Sequence, residues 1–189
     1  MATVLVIAVF AVLIGVTALY NSVVGRKNTV DEAYGGIDVQ LKKRYDLIPQ
    51  AVEAVGCYAD HERKLMEDLT RWRTEAARFP VGSTERESLE RNIGTGLKSL
   101  IAVAENCPEL KAGRNFLFLQ GTLNEVEDNI QAARRFYNAA VKQYNNACEM
   151  FPYRVAASML EMRRKEMFRA AEEERNPVAM KDLFDKRAR

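Results

Sequence analysis

The sequence predicts an all-α protein: a single N-terminal transmembrane helix continuing into an antiparallel bundle of about four long helices. Three observations carry this expectation. The chain opens on an uncharged apolar run. Beyond it, apolar residues recur at spacings of three and four, the period of a helix face, rather than the two of a strand. Glycine and proline fall mostly in short clusters, which punctuate helices rather than interrupt them.

Residues 1–20 contain no charged side chain. At ~1.5 Å of rise per residue, Ala2 to Tyr20 extends roughly 28 Å, close to the ~30 Å hydrocarbon core of a bilayer. Ala2, Leu5, Ile7, Phe10, Leu13 and Leu19 are the expected anchor residues. Tyr20 stands where an interfacial aromatic belongs. A cleaved signal peptide is the competing reading, but it would place Lys or Arg before the apolar run and small residues at a cleavage site behind it. This chain instead leaves the run through Leu19-Tyr20-Asn21-Ser22. Arg26 and Lys27 follow, then Lys42, Lys43 and Arg44, so the positive-inside bias favours an outside amino terminus and a cytoplasmic body. The expected division is an anchor at 1–24, a bundle at 25–175 and a charged tail at 176–189.

With 28 basic and 26 acidic residues the net charge is only +2, so no global field recruits nucleic acid. The 3 cysteines, Cys57, Cys107 and Cys148, are an odd and widely spaced set. They read as small buried hydrophobes in a reducing compartment rather than as a disulfide framework.

The first helix is expected to run out of the membrane, with Val30, Tyr34, Ile37, Leu41, Ile48, Val52 and Val55 on a heptad beat. Gly35-Gly36 weakens it by about 1 kcal/mol per glycine, and Pro49 should bend it without ending it. Phe79-Pro80-Val81-Gly82-Ser83 reads as a turn, after which Thr84 and Glu87 form a candidate capping box. The helix that follows carries Leu89, Ile93, Leu97, Leu100, Ile101 and Ala104 on one stripe and stops before Pro108. The clearest period comes next. Phe116, Leu123, Ile130, Tyr137, Tyr144 and Phe151 recur every seven residues, with Leu119, Val126, Ala133, Ala140 and Ala147 between them. Large residues alternating with alanine allow close approach of an antiparallel neighbour. From Tyr153 a further amphipathic helix is expected, with Met159, Met162, Met167 and Phe168 among Arg163, Arg164, Lys165 and Arg169. That basic run suits anionic lipid, but the Glu172-Glu173-Glu174 run opposes lipid contact, and a solvated face is the commoner meaning of such charge.

Several blocks carry a family resemblance: Tyr20-Asn21-Ser22, Asp31-Glu32-Ala33, and the run from Ile37 through Arg44-Tyr45-Asp46-Leu47-Ile48-Pro49. Downstream come Ala102-Val103-Ala104-Glu105, Pro108-Glu109-Leu110-Lys111-Ala112, Asn115-Phe116, Leu119, Ala133-Arg134-Arg135-Phe136-Tyr137-Asn138, and Tyr144-Asn145 through Phe151-Pro152. In order and spacing, from Met1 to Pro152, the chain resembles LemA family proteins. It departs from them at Gly35-Gly36, Cys107 and Gly121-Thr122, and in an ending rich in Arg, Lys and Met. The resemblance implies a single-pass protein of the bacterial inner (cytoplasmic) membrane or of a membrane organelle, with a helical body and no established enzymatic activity. Some relatives are associated with bacterial organelles that hold magnetic crystals.

Little in the chain suggests catalysis. His61 is the only histidine. Cys57 lies four residues before it, one helical turn away, but no further ligand or orienting group is evident for a zinc site or a Cys/His nucleophile. No phosphate-cradling glycine loop occurs, and no metal or cofactor is expected. The polar residues of interest lie near apolar seams: Arg44 and Asp46 ahead of Pro49, and Glu127, Arg134, Asn138 and Asn145 on the heptad helix that carries Tyr137. Buried charges need partners, so Asp46 or Glu127 is expected to contact Arg134, with Asn138 satisfying backbone near Pro49. The alternative is that these residues line a solvated flank. Functionally, the leading expectation is a non-enzymatic membrane scaffold that self-associates or organises other membrane proteins, aided by Ala11 and Gly15 as a small-xxx-small pair in the span. Two alternatives remain: a ligand- or peptide-binding module with a cavity near Gly35-Gly36, Gly94 and Gly96, and a hydrolase built around His61 and Cys57.

Overall fold

The computed structural model describes residues 1–56 and 62–168. Within them the helices are α1 (Ala2–Gly56), α2 (Arg63–Ala76), α3 (Thr84–Glu105), α4 (Pro108–Lys111), α5 (Arg114–Glu149) and α6 (Tyr153–Met159). Cys57 and His61 lie outside the described residues, as does the 176–189 tail.

The 55 residues of α1 form one uninterrupted helix, about 80 Å long at the standard rise. Its residues 2–18 are exposed all round. Burial starts at Val23 and continues through Val30, Ala33, Ile37, Leu41, Arg44, Tyr45, Ile48, Ala51 and Val55. These steps of three and four mark one face turned to a core. The helix passes through an exposed Pro49 and continues to Gly56, as the sequence predicts.

The four long helices of the described residues, α1, α2, α3 and α5, alternate in direction. Along α3, Arg86 meets Asp38 and Glu90 meets Arg44, so α3 runs parallel to α1. Along α5, Ala147 lies by Val23, Ala140 and Tyr144 by Val30, and Glu127 by Arg44, so α5 runs antiparallel to it. The main core gathers Ile37, Leu41, Ile48, Leu69, Ile93, Leu100, Leu123 and Ile130. Two smaller clusters continue the α1–α5 seam toward the apolar end, where the alanines of α5 permit close contact.

The heptads of α5 match expectation from Phe116 to Ala147. Phe151 departs from the seam, because α5 stops at Glu149 and leaves that ring 84% exposed. The helix start at Thr84 is confirmed, but its cap lies one residue earlier than predicted. Ser83 has extended backbone, and its hydroxyl accepts from the Arg86 amide at 3.2 Å, whereas Thr84 is already helical. α2 stands apart from α1, a division the heptad spacing does not announce.

The largest correction concerns the fourth amphipathic helix. α6 ends at Met159, and 162–168 is an extended strap instead. The turn between them places Glu161 at φ +50°, with the Met162 amide donating to the Ala157 carbonyl at 3.0 Å.

Candidate functional site

Two polar constructions organise the bundle. The first is a buried charge cluster. Arg44 and Tyr45 of α1 replace apolar residues between Leu41 and Ile48, and Arg86 and Glu90 of α3 face them. Arg44 and Glu90 are only 3% and 4% exposed. The Arg44 guanidinium donates to the Glu90 carboxylate through one nitrogen and to Glu127 of α5 through the other, at 2.8 Å. The Tyr45 hydroxyl donates to the second Glu90 oxygen. Arg86 donates to that same oxygen at 3.4 Å, to Asp38 at 2.9 Å and to the Phe79 carbonyl at 3.1 Å.

Glu90 is therefore ringed by three donors. Both of its carboxylate oxygens are engaged, one by Arg44 and the other by Tyr45 and Arg86. Burial, reinforced by the Glu90 charge it donates to, pushes the Tyr45 hydroxyl far above the ordinary tyrosine range. Burial alone would lower Arg86, but Tyr45, Asp38 and Glu90 outweigh it and hold the guanidinium protonated. The cluster joins α1, α3 and α5 through neutralised charge. Its chemistry is that of a lock.

The second construction is the clamped strap. Two Tyr-Asn dipeptides, Tyr137-Asn138 and Tyr144-Asn145, lie seven residues apart on α5. The Asn145 amide donates to the Lys165 carbonyl at 2.9 Å and accepts from the Lys165 N–H at 3.0 Å. Asn138 treats Phe168 the same way, at 2.9 Å in both directions. The Tyr144 and Tyr137 hydroxyls donate to the Arg163 and Glu166 carbonyls at 3.1 and 3.3 Å.

The register is physical. Seven helical residues advance about 10.5 Å, and three extended residues advance about 10 Å, so each Tyr-Asn pair meets an equivalent piece of strap. Amides that satisfy the strap's backbone replace the bonds a helix would have made, which is why the predicted helix is absent.

Two strap side chains add anchorage. Lys165 pairs with Asp31 of α1 and lies 5.8 Å from the Tyr144 ring centroid. Phe168 packs edge-on to Tyr137, ring centroids 5.1 Å apart. Burial and the neighbouring Cys148 push the Tyr144 hydroxyl up to about 12.

The predicted site residues thus divide. Arg44 and Glu127 meet. Asp46 lies on the opposite, exposed face, paired with Lys42 at 3.4 Å, and Pro49 is exposed as well. The expected contact of Arg134 with Asp46 or Glu127 does not form. Arg134 is two turns beyond Glu127, and its guanidinium covers the Phe168 ring at 5.8 Å. Asn138 does not reach Pro49, since antiparallel packing carries it to the Tyr34 end of α1, where it pins Phe168. Tyr137, Asn138 and Asn145 do act together.

The three glycine sites have different surroundings. A Cβ on Gly35 or Gly36 would meet nothing within 4 Å, Gly94 borders a polar cleft with Arg44, Glu127 and Arg134, and Gly96 abuts Leu69 and Trp72. Sequence reasoning missed Asp38, Tyr45, Arg86, Glu90 and Tyr144. Two signals could have found them: Arg86 and Glu90 are one turn apart beside the Leu89–Ile93 stripe, and the Tyr-Asn pair repeats at seven.

These features sit within a sequence that matches the LemA family model over residues 33–181. The chain belongs to the LemA family. Among curated relatives it is 26% identical to Protein LemA of Metamycoplasma hominis, covering 86% of this chain and 74% of that protein. It is 23% identical to Magnetosome protein MamQ 2 of Paramagnetospirillum magneticum, and 20% identical to Magnetosome protein MamQ of Magnetospirillum gryphiswaldense. Each of those alignments covers 95% of this chain and 76% of the relative. None of these names is that of an enzyme. Together with the exposed apolar segment of α1, which is long enough to cross a bilayer, they fit a membrane-associated helical protein.

Proposed function

We propose that this LemA family member is a non-enzymatic, single-pass scaffold that self-associates or organises partner proteins at the cytoplasmic face of a bacterial membrane. One observation carries the reading. The apolar segment and the core-forming segment of α1 are parts of one unbroken helix, so the bundle stands at a fixed height above the bilayer. Arg26, just beyond the span, reinforces that junction by donating to the Gln143 carbonyl at 3.4 Å and lying 5.1 Å from the Tyr153 ring centroid. The basic residues after the span favour the cytoplasmic side for the body. Magnetosome relatives make a membrane organelle a second candidate location, where a dense array of such bundles would organise or curve the bilayer.

The test is light scattering of the full-length chain in mild detergent beside a version starting at Asn21. A defined assembly that requires residues 1–20 supports the scaffold. Monomers in both forms refute self-association. A peptide-binding module is the second reading, favoured by the backbone-directed clamp on the strap.

A further inference from the structure

We propose that the Tyr-Asn face of α5, with the neighbouring face of α1, is a groove for an extended peptide, and that its ligand is residues 162–168 of a second copy of this chain. The inference rests on the self-association reading and supplies its mechanism.

The strap is held as a ligand would be. Helix side chains contact backbone atoms of Arg163, Lys165, Glu166 and Phe168. Two side chains, the ammonium of Lys165 and the ring of Phe168, supply specificity through Asp31 and Tyr137. This is extended-peptide recognition, with main-chain hydrogen bonds fixing the register and alternate side chains choosing the sequence. The groove reads Lys-x-x-Phe.

The strap is also built to leave. It contributes to no helix and no sheet ladder, so its departure breaks no other element. Its hinge is Leu160–Glu161, two residues between α6 and the strap. Glu161 sits at φ +50°, a left-handed conformation that disfavours residues with a Cβ. Short hinges under strain invite exchange of an element between copies.

A second copy offers the identical segment, so every contact is restored in trans. Copies anchored in one bilayer hold their grooves at one height and meet at high effective concentration.

The experiment uses the full chain carrying Met167→p-benzoylphenylalanine, a position that is 41% exposed beside the groove. Unlabelled and ¹⁵N-labelled chains are reconstituted together in phosphatidylethanolamine/phosphatidylglycerol vesicles, irradiated, digested and read by mass spectrometry. Cross-links from 167 to groove peptides that join the two isotopes are expected. Glu161→Gly removes the hinge strain and should lower the mixed-isotope share by roughly fivefold, while same-isotope cross-links persist as proof of folding. Same-isotope products alone, in vesicles of the unaltered hinge, overturn the proposal. If light scattering still finds an assembly, self-association stands and only strap exchange falls. If it finds monomers, self-association falls with it.

Discussion

Removing the carboxylate of Glu90 should destabilise the bundle more than any surface change. In Glu90→Ala, Arg44 and Arg86 lose their shared acceptor while buried, and the Tyr45 hydroxyl loses its partner. Stripping one member from a buried ion pair costs about 3–5 kcal/mol. Arg44 keeps Glu127 at 2.8 Å and Arg86 keeps Asp38 at 2.9 Å, so the lower end applies, about 3 kcal/mol. For a chain of this size, each kcal/mol moves the midpoint by about 2–4 °C, giving a fall of roughly 6–12 °C. That is a large part of the ~5–15 kcal/mol that holds a typical domain together. Thermal unfolding in detergent, followed by circular dichroism, reads it directly. Glu90→Gln keeps the volume, so a comparable loss there assigns the effect to charge rather than to a cavity. Asp46→Ala is the control, since the Lys42–Asp46 pair has side chains 75% and 58% exposed and such pairs contribute little. If both Glu90 variants fall within about 0.5 kcal/mol of wild type, as surface changes do, the cluster does not lock the helices.

Two glycines should respond in opposite directions to alanine. At Gly96 a Cβ would lie 2.8 Å from Leu69 Cδ2 and 3.2 Å from Trp72 Cζ3, and overpacking of that kind destabilises by about 1–3 kcal/mol. At Gly121 nothing lies within 4 Å, so Gly121→Ala should stabilise α5 by about 1 kcal/mol through helix propensity. Urea midpoints decide the signs, and equal shifts would refute the packing of α2 on α3. High pH should weaken the fold. Tyr144 is pushed up to about 12 and Tyr45 and Tyr137 are raised, all with burial as the first cause. A raised hydroxyl contributes fully below the unfolded tyrosine pKa of ~10 and is lost as pH climbs through the folded value. Tyr144→Phe, weaker at pH 8 for want of its bond to the Arg163 carbonyl, should therefore narrow its deficit between pH 10 and pH 12. A constant deficit would refute this account.

What the sequence made legible was periodic burial. The α5 heptads, the α3 stripe and the run of α1 through Pro49 follow from side-chain spacing, because burying one face dominates helix placement. The charge cluster was half legible. Arg44 and Glu127 stand out as polar residues near apolar seams, but the partner that completes them, Glu90, belongs to a different helix, and spacing within one helix says nothing of what faces it. The strap departs from the expected helix for a related reason. Met162 to Phe168 has helix-compatible composition, yet six directional bonds from Tyr137, Asn138, Tyr144 and Asn145 satisfy its backbone in extended form. Tertiary hydrogen bonds override weak propensity.

The two constructions occupy different heights on α1, and this separates rigidity from exchange. Counting from Tyr20 at ~1.5 Å per residue, the Asp31–Lys165 pair stands about 16 Å beyond the apolar segment and Arg44 about 36 Å beyond it. At the far level, buried charge joins three helices, and no part can depart without stranding an ion. Nearer the membrane, Val30 and Ala33 meet Ala140 and Tyr144 in a small cluster, and a single extended segment covers the seam. Apart from the partly exposed Lys165–Asp31 pair, that segment's backbone is held by neutral amides and hydroxyls, whose net worth of about 1 kcal/mol each comes from exchanging one partner for another. Such bonds can be released to water or to an equivalent peptide at little net loss, whereas a buried carboxylate between two guanidiniums cannot. A bundle of this design keeps its distal half fixed, and in the strap exchange proposed above the groove nearer the apolar segment is the part that would change partners.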